Sequence, residues 1–228
     1  MIIITGGSRG IGEFLVNRFE SDFLMQDVRS FYHNTEPTRH KTLYGYLDIT
    51  IHDDVKDSID YIVQGQERIV LVNCAGSNYN AFAHKADFIE WNKVIDVNLR
   101  GTFNVIQAVL PHMRKNKYGR IINIASVVPK IGVRGTSAYS ASKSALWGLT
   151  RTLCVENAQC GITVNTLNLG YFDIGMITEV PENMREAVLR DIPCHKLGDP
   201  EDIYSTIKYL INTPYVNGAN IDINGGLI

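Results

Sequence analysis

The stretch Ile2-Ile3-Ile4-Thr5-Gly6-Gly7-Ser8-Arg9-Gly10-Ile11-Gly12 decides how the chain is read. Three β-branched residues make a short strand. Glycines then crowd the few residues before the amphipathic run Ile11–Glu20. Glycine tolerates the tight backbone of a strand-to-helix turn, and its missing side chain lets a phosphate approach the main chain. The first turn of the helix adds unpaired N–H groups and the positive end of its dipole. Strand, glycine turn and helix in this order predict a pyrophosphate site. The spacing is Gly-x-x-x-Gly-x-Gly, not the Gly-x-Gly-x-x-Gly of the usual dinucleotide fingerprint.

Outward from this turn, short apolar runs alternate with amphipathic ones. The strand candidates are Ile2–Thr5, a stretch ending near Tyr32, Thr42–Leu47, Ile69–Asn73, Ile121–Ala125, Thr163–Leu167 and Ile221–Ile223. Helix candidates lie between them at Ile11–Glu20, Asp54–Gln64, Phe88–His112, Ala138–Glu156, Glu182–Leu189 and Glu201–Leu210. Asn34 to Lys41, with its proline and polar residues, reads as a loop. Strands apolar on both faces, alternating with helices, predict an α/β fold: a doubly wound parallel sheet of Rossmann type, one domain over residues 1–228, with helices on both faces.

Composition narrows the function. A chain of 228 residues with 45% hydrophobic residues can bury a sizeable core, which excludes a disordered chain. The formal net charge of −2 offers no basic excess for nucleic acid. Cys74, Cys154, Cys160 and Cys194 show no Cys-x-x-Cys and no zinc-like spacing with the histidines, so no metal is expected and a reduced, cytoplasmic setting is. The beginning of the chain has no charged leader, and no apolar stretch is long enough for a signal peptide or a membrane span.

Two pairs place a tyrosine four residues before a lysine, which puts both on one helix face: Tyr139 with Lys143, and Tyr204 with Lys208. An ammonium beside a phenol favours the phenolate and would lower the tyrosine pKa towards the working range, as suits a general acid for carbonyl reduction. Context separates the pairs. Thirteen residues before Tyr139, Ser126 ends the apolar strand Ile121–Ala125, where ligands bind in open α/β sheets. The residue equally placed before Tyr204 is Asp191, in no strand, so Tyr204 and Lys208 read as ordinary helix surface. His84, His112 and His195 read as surface or loop residues, and Trp91 and Trp147 as helix packing.

The Thr5-to-Gly12 turn together with Ser126, Tyr139 and Lys143 resembles the short-chain dehydrogenase/reductase family. Further stretches extend the resemblance over essentially the whole chain: Asn73-Cys74-Ala75-Gly76, Asn98-Leu99-Arg100-Gly101, Asn168 to Ile174, Gly198 to Ile203, and Asn217 to Gly226. It implies a catalytic set of Asn98, Ser126, Tyr139 and Lys143. It also implies a nicotinamide cofactor held at the first turn by Gly6, Ser8, Arg9, Gly10, Ile11 and Gly12. His33, Asn34, Asp48 and Ile49 would flank its adenosine half. Asn73, Ala75, Gly76, Tyr139, Lys143, Gly170 and Phe172 would flank its other half. Three positions depart from the family pattern. Cys74 replaces an asparagine, which predicts altered packing and no redox role. Leu169 replaces a proline, and Ile174 replaces a threonine whose hydroxyl it cannot supply.

An acid at the end of the second strand would select NAD through a ribose hydroxyl. Ser30-Phe31-Tyr32-His33-Asn34-Thr35 holds no carboxylate, and Arg9 stands where family members meet a 2′-phosphate, so NADP is expected, with His33 or Arg29 adding to Arg9. A second strand at Phe23–Gln26 would instead place Asp27 at its end and select NAD. Trp91 to Leu99 and Ile192 to Glu201 resemble the 3-oxoacyl-thioester reductases, which act on acyl groups carried by acyl carrier protein or coenzyme A. Another carbonyl, sugar or secondary-alcohol dehydrogenase, or a non-catalytic dinucleotide sensor, stays open. Val105, Ile106, Val109, Leu146, Trp147, Leu149 and Leu153 spread apolar surface around two long helices, which predicts a homo-oligomer, a tetramer by resemblance.

Overall fold

The run Ile2–Thr5 forms β1, buried at every residue. It pairs in parallel with β2 (Val28–Tyr32) on one side and β4 (Val70–Asn73) on the other. The structure, a computed structural model, describes residues 1–22 and 28–227. With β3 (Tyr44–Tyr46), β5 (Gly119–Ser126), β6 (Ile162–Leu169) and β7 (Asn220–Ile223), the strands make one parallel seven-stranded sheet of order β3-β2-β1-β4-β5-β6-β7. The order reverses between β1 and β4, and that switch point is where the sheet opens a ligand crevice.

Two apolar clusters sandwich the sheet. On one face Leu15 and Phe19 of α1 (Gly10–Asp22) and Ile203 and Ile207 of α8 (Pro200–Asn212) cover Ile4, Val72, Ile122 and Leu167. On the other, α2 (His52–Ile62), α4 (Thr102–Asn116) and α6 (Ser137–Asn157) bring Val55, Val105, Met113 and Leu153 onto Ile3, Leu71, Ile121 and Val164. Neighbouring strand residues feed opposite clusters, so burial on both sides explains why the strands lack apolar–polar alternation.

Several boundaries differ from the sequence reading. The expected strand Thr42–Leu47 shrinks to Tyr44–Tyr46, since Lys41–Leu43 closes into a 3₁₀ turn. β5 and β6 are longer than expected and pair over their whole lengths. Arg120 can enter β5 because its guanidinium donates to the carbonyls of Ile211, Gly119 and Gly161. The run Phe88–His112 is not one regular helix. It divides into α3 (Phe88–Ile95), a wide π-turn at Asp96–Gly101, and α4. At Gly101 a Cβ would stand 2.6 Å from Ile49 Cγ1, so glycine lets the turn seat against the β3–α2 connection. A short α5 (Val128–Ile131) follows β5, and α7 (Glu182–Asp191) precedes α8.

Tyr204 corrects the sequence reading outright. It is not helix surface: it is 3% exposed, edge-on to Phe19, and its hydroxyl donates to Asp22 at the end of α1. Lys208 donates to the same carboxylate at 3.0 Å, and Arg18 stacks on the ring while pairing with Glu201 at 2.6 Å. The pair therefore clamps α8 to α1. Tyr204→Phe is expected to lower the thermal midpoint by a few degrees and leave turnover at the parental rate; a loss of turnover would place the second pair in the chemistry.

One row of the sheet is polar within an apolar interior. Asn73, Asn123 and Thr166 stand in register on β4, β5 and β6. Asn73 Nδ2 donates to Asn123 Oδ1 at 2.9 Å, Asn123 Nδ2 donates to Thr150 Oγ1 of α6 at 3.0 Å, and the Thr150 and Thr166 hydroxyls share a bond of 2.7 Å. Among the described residues, no helix is long and apolar enough to cross a membrane. Among the same residues, no group of three or more His, Cys, Asp or Glu side chains could hold a metal ion.

Candidate active site

The glycine turn is built by close approach. Gly6, at φ +69°, sits where a Cβ would lie 2.6 Å from Ala75 Cα. A Cβ on Gly12 would lie 2.2 Å from the Gly6 carbonyl oxygen. Only glycine fits either position, and the turn that results brings the start of α1 against the loop after β4. Thr5 ties the two together: its hydroxyl accepts from the backbone N–H of Cys74 and of Ala75, each at 3.2 Å. Ser8 is buried, while Arg9 is exposed and its guanidinium makes no hydrogen bond or ion pair among the described residues.

Past β4, Gly76 faces two further residues: a Cβ there would lie 3.4 Å from Asn98 Oδ1 and 3.5 Å from Lys143 Nζ. Asn98, in the π-turn and fully buried, accepts from the Ser77 N–H at 2.8 Å and donates to the Ser77 carbonyl and to Ser142 Oγ, both at 3.0 Å. Its side chain thus pins the loop after β4 to α6. Ser77 and Ser142 escaped the sequence reading. Only the position of Ser142 on the helix turn between Tyr139 and Lys143 could have signalled it.

Ser126 ends β5, and its hydroxyl accepts from the Val128 N–H at 3.2 Å. Tyr139 and Lys143 project from the first two turns of α6. Lys143 is 4% exposed and donates to the Ile124 carbonyl at 2.7 Å, with its Nζ 5.8 Å from the Tyr139 ring centre. Burial pushes its ammonium down to about 8, against a smaller opposing effect of the Cys74 thiol. Burial likewise pushes Cys74 up to about 11. For Tyr139 the direction differs from the sequence expectation. Burial raises its pKa, the Ser126 hydroxyl opposes the rise, and Cys74 and Tyr171 add to it. Desolvation dominates, so Tyr139 is a neutral phenol, ready to donate a proton.

At the end of β6, Leu169 is buried and its carbonyl accepts from the Val127 N–H at 2.9 Å. Gly170 packs on Asn224, where a Cβ would meet Asn224 Cα at 2.7 Å, and Phe172 is buried. Ile174 joins the apolar cluster under α1, so the isoleucine that replaces a threonine is used for packing. Gly175, at φ +72°, approaches the glycine turn, its built Cβ 3.7 Å from Gly10 Cα and 3.9 Å from the Ile11 nitrogen.

At the other side of the crevice β2 ends at Tyr32, so the later of the two strand readings is the observed one. Asp27 lies outside the described residues. His33 and Asn34 are exposed there, and His33 Nε2 is 3.6 Å from Asp48 Oδ2. Burial raises Asp48, but its bonds to the Thr50 N–H and hydroxyl and the nearby His33 outweigh that and hold it below its ordinary value. Ile49 is buried against Gly101. Arg29 does not join this group: it is the second residue of β2, far from the carboxyl end, and donates to the Val28 carbonyl.

Two observations fit a nicotinamide dinucleotide: the glycines keep side chains off the turn at the start of α1, and at the end of β4 and in the loop after it the Asn73 Oδ1 and Ser77 Oγ atoms are buried with no hydrogen-bond partner among the described residues. A family model described as short chain dehydrogenase matches residues 1–185. A 3-oxoacyl-[acyl-carrier-protein] reductase (FabG) of Thermotoga maritima is 35% identical over 99% of this chain and 96% of its own length. An acetoacetyl-CoA reductase of Allochromatium vinosum is 32% identical over 99% of this chain and 97% of its own. Among solved structures, the ligand-free aldohexose dehydrogenase of Thermoplasma acidophilum superimposes with a TM-score of 0.87 at 27% identity, covering 99% of this chain and 93% of that one. With the glycine turn, the parallel sheet and the Ser126–Tyr139–Lys143 cluster, these matches establish that the chain belongs to the short-chain dehydrogenase family, as an oxidoreductase acting on CH–OH groups with a nicotinamide dinucleotide.

Proposed function

We propose that the protein reduces a ketone to a secondary alcohol with NADPH, its substrate a 3-oxoacyl thioester carried by acyl carrier protein or coenzyme A. The observation that carries this reading is the convergence of Ser126, Tyr139 and Lys143 at the carboxyl end of β5, with the phenol neutral. The nicotinamide supplies hydride to the ketone carbon when bound. The chain's own residues manage the oxygen. Ser126 donates a hydrogen bond to it, Tyr139 gives it a proton as it becomes an alkoxide, and Lys143 places a positive charge beneath the phenol as it turns to phenolate. Asn98 holds the floor of the site through Ser77 and Ser142. The names of the Thermotoga and Allochromatium relatives support an acyl-thioester substrate.

Turnover with NADPH and acetoacetyl-thioester tests the reading. Cofactor binding with no oxidation would make the chain a sensor, and turnover of sugars or simple alcohols alone would move it to another branch of the family. Arg9 is the cation of the glycine turn and has no ion pair among the described residues; a charge-assisted bond to a 2′-phosphate is its use in this reading. Arg9→Ala is expected to weaken NADPH at least tenfold more than NADH in a fluorescence titration. An equal loss for both would leave Arg9 as a shaper of the turn.

We also propose that the protein is a tetramer. Val105, Ile106, Val109, Leu146 and Leu153 turn out to face the sheet. The apolar surface these helices leave in water is instead Phe88 at 75%, Ile89 at 65% and Val155 at 80% exposure, with Phe103 less exposed, on α3, α4 and α6. Large apolar side chains left in water on these helices are what a second copy covers. Light scattering at micromolar concentration is expected to give four times the chain mass of 25.5 kDa; a mass of one chain would overturn the proposal.

A further inference from the structure

α6 carries Tyr139 and Lys143, yet apolar packing alone is non-directional and lets a helix slide by fractions of an ångström. A catalytic site tolerates about 0.5 Å of such freedom. Directional contacts on this helix therefore matter, and one chain of them has no part in the chemistry above. Trp147, one helical turn beyond Lys143, donates from Nε1 to Asn168 Oδ1 at 2.7 Å. Asn168 is fully buried on β6, and its Nδ2 donates to Asp222 Oδ1 at 2.9 Å, Asp222 being its register neighbour on β7. Lys130 closes the chain, donating to both oxygens of Asp222 at 2.7 Å. It also sits 6.0 Å from the Trp147 ring centre. Lys130 belongs to α5, which begins two residues after Ser126.

We propose that Lys130, Asp222, Asn168 and Trp147 are positioning residues that set the separation between Ser126 and Tyr139. The chain starts on the helix that bears the tyrosine and ends on the helix that follows the serine. In between it is anchored on two strands of the sheet. Every donor in it has its acceptor, so it acts as one brace across the four elements. The ion pair is the part that determines reach: the Lys130 and Asp222 side chains are 31% and 32% exposed, close enough to solvent to be replaced without opening the core. The remainder of α5 offers no other side-chain bond to β7 among the described residues.

This inference rests on the catalytic roles proposed for Ser126 and Tyr139, and the test keeps the two apart. Lys130→Met, Asp222→Asn and the double variant are compared with the parent and with Tyr139→Phe in the NADPH-dependent reduction of acetoacetyl-coenzyme A. Each single variant is expected to lower kcat about tenfold with KM and NADPH affinity within twofold, since small displacements of reacting groups act on the chemical step. The double variant is expected to lose no more than the worse single variant, as members of one chain are not additive. A second readout needs no turnover. Phenol ionisation followed by difference absorbance, with Tyr139→Phe as the blank, is expected to show the Tyr139 transition displaced in the brace variants. Parental kcat and an unmoved transition, with only the melting point lowered, would overturn the brace. So would additive losses. Full activity in Tyr139→Phe would instead overturn the catalytic assignment. Should Asp222→Asn fail to fold, Lys130→Met on its exposed short helix carries the same two readouts.

Discussion

Tyr139→Phe is expected to lower the reduction rate by about 10²–10⁴-fold, the usual loss on removing a general acid, while NADPH binds with parental affinity. The phenol is the group that the structure leaves protonated, because desolvation raises its pKa above the ordinary tyrosine value. Reduction needs that proton, and oxidation of the alcohol needs the phenolate. The forward rate should therefore stay level through neutral pH and fall as Lys143 loses its charge near pH 8, whereas the reverse rate should climb with pH. Stopped-flow rates in both directions check this, and a forward rate that rises above pH 8 would contradict it. The same lysine makes the site a thermodynamic cost. Its folded pKa lies below the ordinary 10.5, so the unfolded chain holds more protons between about 8 and 10.5. Stability should rise with pH across that window, and the cost is fully present below it.

Gly12→Ala is the second large effect. The new methyl would lie 2.2 Å from the Gly6 carbonyl oxygen and 2.9 Å from Gly7 Cα, and both are backbone. No rotamer relieves such a collision, so the turn must open. The expected outcome is a loss of measurable binding for NADPH and NADH alike, with a destabilisation of about 3 kcal/mol, the upper part of the range for overpacked sites. Cofactor fluorescence titration and a denaturant melt read the two consequences separately. Affinities within twofold of the parent would show that the cradle is not built on this contact.

The parts of the fold that were legible in the sequence are those fixed by local spacing. A β-branched run before clustered glycines, apolar strands between amphipathic helices, and a Tyr-x-x-x-Lys pair on one helix face follow from side-chain periods, while the serine thirteen residues before that pair stood out through the family resemblance. The parts that were not legible depend on distant partners. Tyr204 looked like surface because the carboxylate that buries its hydroxyl, Asp22, is 182 residues away. The π-turn at Asp96–Gly101 is invisible to helical periodicity, since Asn98 turns inward to satisfy Ser77, not an apolar stripe. Tyr139 was expected to be acidified by Lys143. Desolvation, which no spacing reports, wins instead. Of the cofactor residues read from the sequence, the glycine turn, Asn73, Ala75 and Gly76 converge around Thr5 and Lys143. His33 and Asp48 meet only through the fold of β2 and β3.

The polar row Asn73–Asn123–Thr166 has a consequence for how the sheet assembles. A strand buried on both faces carries no alternation to tell one pairing offset from the next, and parallel β5 and β6 match over eight residues. Isoleucines and valines would tolerate a slip by two. The amides would not: set back by two residues against its neighbours, Asn123 would meet Leu71 of β4 and Val164 of β6 in place of Asn73 and Thr166, and each orphaned buried amide costs about 1–3 kcal/mol. The row therefore acts as an indexing mark. It contributes little to the depth of the native well and much to the gap between that well and its misthreaded neighbours.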